Sequence, residues 1–97
     1  MLQSDLTPQF VRDIKDCEKR HWNINALKAA MTALLESDEK PLDTRLKDHA
    51  LTGGHKGQRA LHIDSAPNPP RDKWVMLYEI RGNKVVFVRT GTHDDVY

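Results

Sequence analysis

His49, His62 and His93 stand at the edges of apolar segments in the C-terminal half, and Arg89 follows the run VVFV. Histidine exchanges protons near neutrality, with an ordinary pKa of about 6.5. Arginine presents a rigid fork that matches two phosphate oxygens. Cleavage of RNA by its own ribose 2′-hydroxyl needs such groups. A base takes the hydroxyl proton, an acid protonates the departing 5′-oxygen, and donors surround the pentavalent phosphorus. His49, His62, His93, Arg59 and Arg89 supply these types, and Lys47 and Lys56 add cations nearby. Trp74 and Tyr97 are aromatics able to stack on splayed bases.

Other uses of the same residues stay open. A strand-end histidine often serves as a surface or packed residue. Trp74 suits a core, Arg89 suits a cross-strand ladder, and His21 and His55 read as surface residues. The histidines could also join Asp64, Asp72, Asp94 or Asp95 in a metal site. No short-spaced ligand pair such as HxxxH or CxxC occurs, however. Gly53-Gly54 and Gly57-Gln58 do not form a phosphate-cradling P-loop. Cys17 falls at helical spacing from Phe10 and Ile14 and reads as a small buried hydrophobe.

These residues need elements to position them. Leu2–Leu6 reads as a short strand. Thr7-Pro8 reads as cap and first position of a helix whose stripe is Phe10, Val11, Ile14 and Cys17, ending near Arg20. Asn23 or Asn25 caps a second helix with the stripe Ile24, Leu27, Met31, Leu34 and Leu35, ending near Ser37. Glycines 53, 54 and 57 turn the chain, and 58–63 reads as a strand. DSAPNPPR is a loop. Trp74–Ile80 and Val85–Arg89 are strands joined by a Gly82-Asn83 turn.

That turn fixes an expected register. Arg81 opposes Lys84, Tyr78 opposes Phe87, Leu77 opposes Val88 and Met76 opposes Arg89. One face then carries Val75, Leu77, Val86 and Val88. The other carries Trp74, Met76, Tyr78, Phe87 and Arg89. The simplest assembly puts Leu61, Ile63, Leu77 and Val88 under the helices and leaves His62 and Arg89 on the uncovered face. A one-residue slip would undo it.

The 97 residues suit one α+β domain, with two helices on one side of a mostly antiparallel sheet. No apolar run approaches the roughly 20 residues that span a bilayer, and MLQSDLTPQF lacks the features of a signal peptide. A cytoplasmic protein without membrane association is expected, in keeping with a single cysteine. Residues 1–43 carry six Lys/Arg against eight Asp/Glu, and residues 44–97 carry nine against six. The basic excess thus lies with the histidines, which permits a nucleic-acid partner.

The pieces KDHALTGGHKGQRALHI, the Trp74-initiated strand and VFVRTGTHDDVY together resemble the YafQ branch of the RelE toxin superfamily. The likeness spans most of the chain. It implies a RelE-like fold and a toxin of a type II toxin–antitoxin module. It further implies a ribosome-dependent endoribonuclease that cuts translated mRNA in the A site of the 70S ribosome, with no metal or other cofactor. A cognate RelB- or DinJ-like antitoxin would neutralise it. By that match His93 is the general acid, His49 and His62 assist in proton transfer or hold phosphate, and Arg89 stabilises developing charge. The family's C-terminal aromatic falls on Tyr97. Its Asp-Trp pair meets a longer loop here, so Trp74 aligns while the carboxylate falls on Asp72 or Asp64.

Overall fold

In a computed structural model describing residues 1–97, β1 (Gln3–Leu6) leads directly into α1 (Pro8–Lys19). Thr7 caps that helix as its residue type predicts, its Oγ1 accepting from the Phe10 N–H at 3.0 Å. Pro8 takes the first position, where a missing N–H costs nothing. Asn23 caps α2 (Ile24–Leu35) by accepting from the Ala26 N–H at 3.2 Å. The chain then makes one 3-10 turn at Thr44–Leu46, a two-residue strand β2 (His49–Ala50) and a second 3-10 turn at Gly53–His55. Strands β3 (Arg59–His62), β4 (Val75–Arg81) and β5 (Lys84–Gly91) follow, and α3 (His93–Val96) ends the chain.

The five strands lie in the order β1-β5-β4-β3-β2. β1 runs parallel to β5, with Gln3 opposite Lys84, and every other pair is antiparallel. The two long helices pack on one face, giving the expected α+β architecture. Beneath them lies the main core of Phe10, Cys17, Leu27, Leu34, Leu61, Ile63, Trp74, Met76, Tyr78, Val85 and Phe87. Burial pushes the Cys17 thiol up to about 12, so it stays protonated and inert.

Two details of the expected sheet are corrected. Gly82 holds φ +60° and sets the hairpin register from Arg81↔Lys84 to Tyr78↔Phe87 as anticipated. A bulge then intervenes, so that Leu77 pairs with Arg89 and Met76 with Thr90. The faces are also exchanged. Leu61 pairs with Met76, which places the aromatic-rich face of β4 and β5 under the helices. Val75, Leu77 and Val88 instead join Ala60, Leu51 and Val96 in a small cluster on the opposite face. The reason is volume. Two helices make a thick layer, and large side chains fill it while removing the most apolar area from water. Trp74, Met76 and Phe87 are 0 % exposed, so this face is interior rather than uncovered.

One carboxylate ties α1 to the end of β5. Asp13, 5 % exposed, accepts from Gln9 Nε2 at 2.9 Å, Arg89 Nε at 2.9 Å and the Thr90 N–H at 3.0 Å. Thr90 Oγ1 in turn accepts from Trp74 Nε1 at 2.8 Å and donates to the Val75 carbonyl at 2.9 Å. Replacing Asp13 with Ala strands the Thr90 N–H in the interior and frees a guanidinium that water reaches only in part. The variant should lose about 2–4 kcal/mol of unfolding free energy in urea titrations, while Asp16→Ala, on the exposed side of α1, should change little.

Candidate active site

The face opposite α1 and α2 collects the histidines. His49 pairs with Ala60, and Ala60 and His62 alternate onto the same side of β3. α3 lies over this face through Val96, which is buried against Val75 and Leu77. Its first residue is His93, whose ring centroid lies 5.4 Å from that of His62. Tyr97 lies one turn later and stacks on His93, at 5.8 Å and 27°. His55, from the glycine-flanked turn, meets Tyr97 edge-on at 5.6 Å. The four rings form a continuous run: His62, His93, Tyr97, His55.

A polar cleft of about 140 Å³ adjoins His62, lined also by Arg45, Lys47, Asp64, Arg71 and Asp72. Lys47 and Asp72 both hold left-handed backbone, with φ +52° and +66°. Non-glycine residues rarely adopt it, and such strain gathers at functional positions. The two side chains meet, Lys47 Nζ lying 3.0 Å from each carboxylate oxygen of Asp72. That contact holds Asp72 below the usual carboxylate range. Asp64 lines the same cleft and lies 3.6 Å from Arg45 Nη1. Asp72, not Asp64, is the carboxylate bound to Lys47.

The imidazoles differ in their settings. His49 Nδ1 lies 2.9 Å from the Lys47 carbonyl. A carbonyl only accepts, so Nδ1 carries a proton, and in the neutral imidazole the lone pair sits on Nε2. His62 Nδ1 is buried and unpartnered. Burial lowers the pKa of His62; Asp72 opposes the shift, and His93, Lys47 and His49 add to it. A neutral imidazole at pH 7 follows. Burial also raises the Tyr97 hydroxyl above its ordinary value.

Other expected site residues lie elsewhere. Trp74 is wholly buried and donates to Thr90, so it cannot stack on a base. Arg59 grips Asp48 at 2.8 Å, and Tyr78 donates to the same carboxylate. Arg59 pairs with Tyr78 in the sheet and so lies away from His62. Lys56 follows the glycine turn and is exposed. Arg89 opposes Leu77 and shares the strand face of His62, because the exchanged faces and the bulge cancel for this residue. Its guanidinium nevertheless turns to Asp13, in a separate cleft of about 110 Å³ with Arg20 and Asp95. Sequence reasoning missed Arg45, Arg71 and His55. The capping box at Thr92-x-x-Asp95 was legible as a motif. No three His, Cys, Asp or Glu side chains converge closely enough to hold one ion.

Comparison with known proteins places this arrangement. Residues 2–97 match the family described as the bacterial toxin of type II toxin–antitoxin systems, YafQ. The mRNA interferase toxin YafQ of Escherichia coli K12 is 36% identical over 95 residues, covering 96% of this chain and 95% of that protein. The crystal structure of YafQ from E. coli BL21(DE3) superposes with a TM-score of 0.83 at 32% identity, covering 100% of this chain and 99% of the other. The toxin in the E. coli DinJ–YafQ complex gives 0.82 at 33% identity, with the same coverage. A match over nearly the whole length, in sequence and in fold, shows that this chain belongs to the YafQ family of type II toxin–antitoxin toxins.

Proposed function

We propose that the chain is a ribosome-dependent endoribonuclease that cuts translated mRNA in the A site by metal-independent acid–base chemistry. The observation that carries this reading is the His62–His93 pair of rings beside the Lys47–Asp72 cleft, with His49 Nε2 free nearby. The ribose 2′-oxygen attacks phosphorus as its proton passes to a neutral imidazole, and the bond to the 5′-oxygen breaks as His93 protonates it. The products are a 2′,3′-cyclic phosphate and a 5′-hydroxyl. His49, with an open Nε2, suits the base; His62, held neutral, suits a donor or relay to a phosphate oxygen. Lys47 and Arg45 supply positive charge where the phosphorane becomes more anionic. Asp72 fixes the Lys47 ammonium at the cleft. Tyr97, half exposed beside His93, offers a face for a displaced base. Arg89 acts from the neighbouring cleft only if the RNA reaches past α3.

The relatives support the rest. The E. coli relative is named an mRNA interferase toxin, and a solved complex holds E. coli YafQ bound to DinJ, so an antitoxin of that kind is the proposed partner. No helix is long and apolar enough to cross a membrane, in keeping with work on ribosomes in the cytoplasm. The modest net charge of +1 suits a nuclease whose RNA is positioned by the ribosome, with weak, salt-sensitive binding to free RNA.

Purified protein added to ribosomes carrying a defined mRNA should generate new 5′-hydroxyl ends. His93→Ala should slow this about 10²–10⁴-fold while the circular dichroism spectrum and ribosome binding persist; wild-type cleavage by that variant would sink the reading. Stripping transition metals with a chelator at constant Mg²⁺ should leave the rate unchanged, and loss with recovery on added Zn²⁺ would favour a metal hydrolase. His62 also leaves a signature in stability. Its folded-state pKa lies below the ordinary 6.5, so its contribution is full above about pH 6.5 and is lost as pH falls through the lower folded value. In thermal melts from pH 7.5 to 5, His62→Gln should therefore lose less stability than wild type.

A further inference from the structure

α3 has four residues, too few to hold its own shape, yet it carries His93 at its start and leads into Tyr97. Val96 presses it onto the sheet from one side. A single hydrophobic contact leaves rotation about that contact free, and rotation would swing His93 away from His62. The structure supplies a second fastening on the other side. The Asp95 carboxylate accepts from the Thr92 N–H at 3.0 Å, and Thr92 Oγ1 accepts from the Asp95 N–H at 3.2 Å. The same Oδ2 atom of Asp95 receives Arg20 Nη1 at 3.0 Å. Arg20 caps the C-terminus of α1, and its guanidinium rests over the Trp22 ring at 4.9 Å. Trp22 in turn packs on Trp74, centroids 5.1 Å apart. The fastening thus runs from α3 into the main core.

Gly91 provides an independent sign that this position of Asp95 is built in. It holds φ +154°, and a Cβ there would lie 2.8 Å from Asp95 Oδ2 and 2.9 Å from Asp95 Cβ. Only glycine leaves the carboxylate its place. We propose that Asp95 and Arg20 are positioning residues, a latch across α1 and α3 that sets His93 and Tyr97 at the angle required for proton transfer. An exposed ion pair alone contributes little. Here the carboxylate also closes a capping box, so one side chain fixes both the start of the helix and its orientation. A displacement of about 1 Å at a reacting group can cost up to 10²-fold in rate. The latch rests on the proposed function, since it acts through His93.

The test uses the full-length protein, ribosomes carrying a defined mRNA, and Asp95→Ala, Asp95→Asn, Arg20→Ala and the double alanine variant. Asp95→Ala should lower kcat about five- to tenfold, the size expected for a lost cap, with KM for the programmed ribosome unchanged. Asp95→Asn still accepts from Thr92 and should recover part of that loss. The double variant should be no slower than Asp95→Ala alone, because both residues act through one contact. Wild-type kcat in Asp95→Ala, equal changes in kcat and KM, or losses that multiply in the double variant would each overturn the latch. NMR of the free protein reads the same geometry without cleavage. The ring-current shifts of stacked His93 and Tyr97 should collapse in Asp95→Ala and be retained in Asp95→Asn, and unchanged shifts in Asp95→Ala would overturn the latch. Wild-type protein that does not cut programmed ribosomes would overturn the proposed function, leaving the NMR arm to judge the latch by itself.

Discussion

The buried Asp13 carboxylate is the constraint from which the rest of the architecture follows. Removing a charge from water is costly unless donors replace the water, and three donors do so here: Gln9 on the same helix, and Arg89 and Thr90 at the end of β5. Satisfying that one group fixes the height and rotation of α1 over the sheet. It also fixes Thr90, whose hydroxyl takes the Trp74 indole proton, so the largest core side chain is oriented by the same network. The β4–β5 bulge belongs to this arrangement. It brings Thr90 opposite Met76, on the helix-covered face, where its N–H reaches Asp13.

What stands above the sheet then depends on what was fixed below it. β5 ends at Gly91, and α3 begins two residues later. The height of α3 over β3 is set by the end of β5, and its angle by contacts with α1. The candidate site draws its histidines from β2, β3 and α3, which are far apart in the chain. Strained backbone at Lys47 and Asp72 persists because the surrounding structure determines it and the two side chains pair. An unpartnered His62, its pKa lowered by burial, sits close to Lys47 and Asp72, a combination with no evident use in stabilising the fold.

Local chemistry made part of this legible in the sequence. Thr7-Pro8 and Asn23 announced both long helices, and Gly82 announced the hairpin and its first register positions, because caps and turns depend on a few adjacent residues. Choices made by distant residues were not legible. Which face of β4 the helices cover depends on matching volumes across two layers, and an apolar count along one strand cannot decide it. The bulge sits beside contacts to Asp13, 76 residues from Arg89, which no local pattern announces. The two-residue β2 has no periodicity to detect. Among the candidate residues, the motif pieces pointed to His49, His62, Arg89, His93 and Tyr97; the fold gathers the histidines and Tyr97 on one face and turns the Arg89 guanidinium to Asp13. Arg59 and Trp74 have suitable chemistry, but their partners, Asp48 and Thr90, are visible only in three dimensions.

β1 has one strand neighbour, β5, and pairs with it in parallel, Gln3 beside Lys84. α1 also rests on β5, through Asp13. β1 and α1 therefore have no strand to rest on until β5 exists, and closing that contact spans a long stretch of chain. The imidazole on α3 arrives later still. During synthesis β1 and α1 wait for β5 before this edge of the sheet can close, so the order of synthesis itself delays the assembly of the face that gathers the histidines.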